Sequence, residues 1–429
     1  MNLLLSWRDL SPPVRRAVRI DMSVTLLFTV FTGLTAPFTG LILRRELGAS
    51  PFQLSVLGSA GAACLLLSLA LARVVDARRP LPWVVWPSFC ARALFLLVPF
   101  IETPWPFVGV LVTGTLLGTL VTPAQTALVQ QVYPESERGR ALGSVRIAGA
   151  VVAIGLAAVA GQLLGWLSWR WVFPAAALIG MAGSLRQRRM PTSGSGQDSV
   201  GDRPSLADAW RAMRDDRGYR RLLLSAFVFG SGVWLMQPAT PIMLADVVGA
   251  TTTQVGLLSG VGAVAAIGGN VLWGRLVDAR RSVRTLRVVY LVGMLAPTTY
   301  AFCTDLPSLI VGAAVAESLM ATGLDLVWML AVIEFAGPGR TAQYAAIAST
   351  LAGIRGVAGP LLGAMMIETL GLHALYLASA ALMGAGAVLV GWQARDALGR
   401  AHQKMPRYIE HPRQTSGGLA VARASRNAP

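Results

Sequence analysis

The chain has 429 residues, 54% of them hydrophobic and only 14% charged, and carries a formal charge of +16. Apolar residues run in long blocks instead of amphipathic stripes, which excludes an ordinary soluble domain and points to a polytopic membrane protein. The basic residues are scattered over short loops, not gathered into a patch, so the charge sets membrane topology and nucleic acid is excluded as a partner.

Residues 1–16 hold one short apolar patch, Leu3 to Trp7, followed by the breaker Pro12-Pro13. This is too short for a signal-peptide core and is expected to stay in the cytoplasm. Spans of about 20 residues are predicted at 20–43, 51–74, 81–101, 105–130, 141–165 and 169–185. A second set follows at 221–244, 253–275, 286–304, 306–333, 342–367 and 371–393. With the N-terminus inside, the outer loops and outer span ends hold only Arg44, Arg45 and Arg170, and only Arg92, Arg146 and Arg355 lie more than two residues inside a span. Every other Lys and Arg falls on the cytoplasmic side. This asymmetry requires an even number of spans and places both termini in the cytoplasm. The chain therefore divides into an N-terminal six-helix bundle (1–189), a cytoplasmic linker (190–219), a C-terminal six-helix bundle (220–393) and a basic tail (394–429) expected to be disordered. In the linker, Ser205 with Asp208 reads as a helix start, and Leu206, Trp210 and Met213 recur on one face, which predicts a short interfacial helix. Trp105, Trp166, Trp169 and Trp171 fall at outer helix ends and are expected to anchor at the interface. Cys64, Cys90 and Cys303 lack metal-ligand spacing and are expected to be small core residues.

The halves repeat one another. Pro37, Thr39, Leu43, Gly48, Ala49 and Gln53 recur as Pro238, Thr240, Leu244, Gly249, Ala250 and Gln254, shifted by 201 positions. The loop Ala72-Arg73-Val74-Val75-Asp76-Ala77-Arg78-Arg79 recurs as Gly274-Arg275-Leu276-Val277-Asp278-Ala279-Arg280-Arg281, by then shifted by 202 for the Asp. A duplicated membrane unit is a usual transporter architecture.

The two Asp loops, the twelve spans and the long central loop resemble the major facilitator superfamily from Ile20 to about Gln393. Tyr133 to Gly143 is similar to that family's loop after the fourth span, and Trp169 to Phe173 to the start of its sixth. The resemblance implies an all-α membrane fold of two pseudo-symmetric bundles and a secondary transporter in the cell membrane. It also implies that the cytoplasmic charges Asp76, Arg78, Arg79, Arg138, Arg146, Asp278, Arg280, Arg281 and Arg340 hold the halves together in the outward-open state. The arginine that proton-coupled members carry in the fourth span would fall near Gly114 and is missing. The Gly-Pro signature of drug antiporters is missing from the fifth span.

A charge at mid-membrane costs roughly 2.5 to 3.5 kcal/mol on insertion scales and needs a partner or a purpose. Glu317 and Asp325 in the tenth span, Arg355 in the eleventh and Arg92 in the third are therefore the candidates for substrate or coupling charges. Arg355 is expected to pair with one of the two carboxylates, as a functional cluster or as a static lock between helices. Gln125, Trp234, Gln237, Asn270 and Trp328 are candidate cavity residues, Pro37, Pro238 and Pro241 candidate breaks in the first and seventh helices, and Gly161, Gly165, Gly353, Gly356 and Gly359 close-packing faces. The expected partners are a small solute, protons and the bilayer, acting on a monomer. No cofactor or metal is expected, and no nucleophile and base can be assembled, so the chain is not expected to be an enzyme. Export is favoured over import, and the rival from another class is a sensor or scaffold.

Overall fold

The computed structural model describes residues 10–71, 76, 79–192, 214, 216–279, 282–336 and 341–403, which are helical with no strand among them. The elements are α1 (Pro12–Arg45), α2 (Pro51–Leu71), α3 (Pro80–Ala93), which tightens into a 3-10 stretch at Leu94–Phe100, α4 (Pro104–Val132), α5 (Glu135–Trp166) and α6 (Trp169–Gln187). Then come α7 (Arg217–Leu235), α8 (Thr252–Ala279), α9 (Ser282–Phe302), α10 (Leu306–Ala336), α11 (341–370) and α12 (372–403), the last two joined at Gly371 with φ 85°. Among the described residues, eight helical stretches are long and apolar enough to cross a membrane. One of these, Gln343–Trp392, contains the Gly371 turn. Exposed Phe100, Trp166 and Trp171 complete an apolar exterior suited to lipid.

Several expectations are corrected here. Pro12-Pro13 begins α1 instead of breaking the chain, because a proline at the first helical positions removes only an amide that lacks an intrahelical partner anyway. Pro37 leaves α1 continuous, whereas the seventh helix does break, at Met236 to Pro238, before Ala239–Ile242 and a π turn at Met243–Val247. Trp169 is buried against Phe107 and Phe173 and is a core residue, and Cys90 is exposed. The last helix runs to Gln403, beyond the expected end at 393. The interfacial helix and the tail from 404 lie outside the described residues. Asp305 caps α10 by accepting from the Ser308 amide (3.0 Å), and its hydrogen bonds to Ser308 hold its carboxyl below the ordinary value.

The sequence repeat has a physical counterpart. Gly48 and Gly249 end their helices at φ 68° and 63°, a conformation that any other L-residue adopts only at a cost. After each, an alanine amide closes back on a leucine carbonyl, Ala49 to Leu43 at 3.0 Å and Ala250 to Leu244 at 2.8 Å. Each next helix then starts with a reciprocal cap. The Ser50 amide donates to Gln53 Oε1 and the Gln53 amide to Ser50 Oγ, and Thr251 and Gln254 repeat the pattern. Gly48→Ala and Gly249→Ala are each expected to cost about 1–2 kcal/mol. The double variant should lose the sum, read as a lower melting temperature of the purified protein.

Packing is uneven between the two ends of the molecule. At the end carrying Arg44, one buried cluster built on Phe38, Leu43, Phe107 and Phe173 of the first half also contains Ile242, Ala250 and Val255 of the second. At the end carrying Asp76, the buried cores stay separate, one drawn from residues 10–190 and the other from 219–390. The buried cores of the two halves thus merge at the Arg44 end and stay distinct at the Asp76 end.

Candidate functional site

Small residues make the join. A Cβ on Gly161 of α5 would lie 2.6 Å from the Thr252 carbonyl oxygen and 3.2 Å from the Gly256 Cα of α8, so backbone meets backbone there. Gly353 and Gly356 of α11 make room for the side chains of Leu66 and Ala62 of α2, and Ser59 Oγ donates to the Val357 carbonyl at 3.0 Å. Over this seam Arg44 grips Asp246, with Nη2 to Oδ2 at 2.5 Å and Nε to Oδ2 at 2.9 Å, while Arg45 Nη2 donates to the Ala250 carbonyl at 2.7 Å.

Beneath the seam lies a cavity of about 480 Å³ between the halves, bordered by Pro37 and Gly40 of α1, Trp234, Gln237 and Thr240 from the seventh helix and its break, and Glu317 of α10. Trp234 fits there because Gly359 has no side chain; a Cβ on that glycine would come within 2.7 Å of the indole's own Cβ. Glu317 Oε1 is buried and has no hydrogen-bond partner among the described residues. The Tyr300 hydroxyl stands against its carboxylate, and the Tyr300 ring stacks on Tyr376 at 5.1 Å. Trp234 and Gln237, expected as cavity residues, line it together with Glu317, which was expected to group with Asp325 and Arg355; Tyr300, a tyrosine in an apolar span, carried no signal.

The expected cluster of Glu317, Asp325 and Arg355 does not assemble. Arg355 Nη1 donates to the Ala226 carbonyl of α7, and its guanidinium fills a notch left by Gly230. Asp325 is exposed. The sequence estimate assumed an ordinary α-helix, whereas α10 contains π turns at Leu309–Val315 and Leu324–Trp328. Extra residues in such turns rotate the faces beyond them, and π turns concentrate at functional sites. Asn270 is exposed and donates to the Ala266 carbonyl of its own helix, and Trp328 packs on the core of the second half, so neither borders this cavity.

A second cavity, of about 550 Å³, lies inside the first half between α1, α3 and α4. Arg92 borders it, donating to the Ser88 carbonyl at 2.6 Å and lying 3.9 Å over the Phe28 ring. Gln125 accepts from Gln187 Nε2 at 3.1 Å. Asp21, which sequence reasoning missed, is buried at the same cavity and accepts from the Tyr133 hydroxyl at 2.9 Å. Of the expected charge network, Arg138 turns back to the Tyr133 carbonyl in its own half. Asp76, Arg79, Arg146 and Asp278 are exposed, and Arg78, Arg280, Arg281 and Arg340 lie outside the described residues. No group of three or more His, Cys, Asp or Glu that could hold a metal occurs among the described residues.

A sequence profile described as Major Facilitator Superfamily matches residues 22–296 and 222–407. The chain belongs to the major facilitator superfamily. Solved transporters of this fold superpose on it over nearly their whole length. A bacterial homologue of the human lysosomal transporter Spinster, inward-facing and unoccupied, gives a TM-score of 0.63 at 14% identity, covering 91% of this chain and 98% of that one. The nucleoside transporter NupG gives 0.66 at 11% identity, covering 92% and 100%. The human organic anion transporter MFSD10 gives 0.60 at 16% identity, covering 89% and 100%. A search of curated protein sequences found no match. Membership makes this a multi-pass membrane protein and a secondary transporter for small molecules, not an enzyme. The Arg44–Asp246 pair and the glycine seam then lie across the two superfamily halves.

Proposed function

We propose that this protein carries a small organic solute across the cell membrane by alternating access between two six-helix bundles, residues 1–189 and 220–393, and that protonation of Glu317 couples to the exchange. Twelve spans, both termini in the cytoplasm and the Arg44 end outside agree with the distribution of Lys and Arg. In that orientation the core shared by the halves lies on the outer side, which supports reading this as an inward-facing form.

The observation that carries the coupling role is the buried, unpartnered Glu317 Oε1 on the cavity between the halves. An ionised carboxylate there is costly, and a proton or a bound donor relieves the cost. Because α10 and the seventh helix share the cavity with α1, a change in the charge of Glu317 acts on groups from both halves.

The test needs no known substrate. Ala321→Cys places a thiol on the same cavity. Its labelling by a soluble maleimide from the Asp76 side should change at least threefold between pH 6 and pH 8 in the wild-type background and become flat in Glu317→Gln. Equal pH dependence in both proteins would remove Glu317 from the mechanism.

A further inference from the structure

We infer that the cavity inside the first half is the solute site and that it takes an amphiphilic organic monoanion, whose carboxylate or sulfonate meets Arg92. This names the substrate class for the proposed transporter and rests on that reading. It uses different residues from those that carry the proton argument.

Arg92 is a guanidinium at mid-membrane, and among the described residues no carboxylate pairs with it. Its hydrogen bond goes to the Ser88 carbonyl, and its Nε is buried and unpartnered. The ring of Phe28 lies 3.9 Å below it and that of Phe31 at 5.4 Å. Aromatic faces attract a cation without neutralising it. Arginine is the side chain best suited to a planar oxyanion, since its donors meet two oxygens at once. The position is also built: a Cβ on Gly180 of α6 would lie 2.7 Å from Arg92 Cδ and 2.9 Å from Nε, so the glycine makes room for this side chain.

The rest of the lining defines the body of the ligand. The volume is within the range of small-molecule sites. Phe28, Phe31 and Phe95 offer apolar and aromatic surface, while Thr32, Thr35 and Thr115 spend their hydroxyl protons on carbonyls of their own helices. An apolar or aromatic body is therefore favoured over a sugar or a nucleoside. Asp21 borders the same cavity seven residues before Phe28, roughly 10 Å along α1. It repels a second negative charge, so the ligand is a monoanion. Ala36 lines both cavities, which places the bound solute against the stretch of α1 that also borders the cavity of Glu317.

The experiment compares three probes of one shape, phenylbutyrate, phenylbutylamine and phenylbutanol, by the thermal stability of the purified full-length protein in detergent. Phenylbutyrate should stabilise saturably, with an apparent affinity at least tenfold above that of the alcohol or the amine. That preference should be lost in Arg92→Gln. Gly180→Ala, which keeps the charge but displaces the guanidinium, should weaken it in the same direction and decides the matter if Arg92→Gln does not fold. Equal stabilisation by acid and alcohol, preference for the amine, no stabilisation by any probe, or undiminished phenylbutyrate binding in the folded variants would each overturn the inference. The pH-dependent labelling at Ala321→Cys is read separately. Its failure alone removes the role of Glu317, and failure of the probe selectivity alone removes the anion site.

Discussion

Gly161→Ala should reduce transport more than tenfold while the protein still reaches the membrane. A methyl group at that position would meet the Thr252 carbonyl oxygen at 2.6 Å and the Thr253 Cα at 2.9 Å, and neither can step aside, since both are backbone. The halves would have to separate at the Arg44 end, which displaces the equilibrium away from the state described here. Overpacking a close contact typically costs 1–3 kcal/mol, and this cost falls on one conformer of the cycle. The check is the labelling of a cysteine at Leu244, which borders the cavity between the halves, by an impermeant maleimide added from the Arg44 side. Strong labelling in Gly161→Ala and weak labelling in its parent is the expected pair of results. Normal flux in the variant would mean that the seam opens and closes elsewhere.

The second large effect is expected at Arg44 and Asp246. The side chains are 26% and 40% exposed, so solvent screens their attraction and an isolated pair of this kind contributes about 0.2–1 kcal/mol. Arg44 also donates to the Ala49 carbonyl at 2.7 Å, which ties the pair to the glycine-capped turn. Either Arg44→Ala or Asp246→Asn should raise labelling at Leu244→Cys about fivefold, and the effect should shrink in high salt. The exchanged pair, Arg44→Asp with Asp246→Arg, should recover much of the closure. If the double exchange is no better than either single change, the pair does not latch the halves.

The helical fold and its duplication were legible because hydrophobic length and repeated turn residues are local signals. Gly48 and Gly249 could be matched by eye and prove to hold the same backbone geometry. The candidate site was legible only in part. Trp234 and Gln237 were singled out as cavity residues and Glu317 as a buried charge, since a rare charge or amide in an apolar span has few reasons to be there, but that the three border one cavity was not foreseen. Arg355 and Asp325 do not pair as expected, because depth along an ideal helix is a poor guide once π turns intervene, and because the notch at Gly230 lets Arg355 reach the Ala226 carbonyl instead of a carboxylate. Asp246 was overlooked because the repeat sets it opposite Arg45 and not opposite Arg44, so no pairing was visible in the sequence. Asp21 was overlooked because it stands near the start of α1, where a charge looks like a boundary.

The glycine seam has a thermodynamic consequence. Side chains that become ordered lose rotamer freedom, up to about 1.5–2 kcal/mol for the longest, but glycine and backbone carbonyls have no rotamers to lose. Closing the halves on Gly161 and Gly256 therefore carries little side-chain entropy cost. Little of the attraction in this contact is then offset by ordering, so a short seam suffices to hold the halves closed and a small opposing cost suffices to part them.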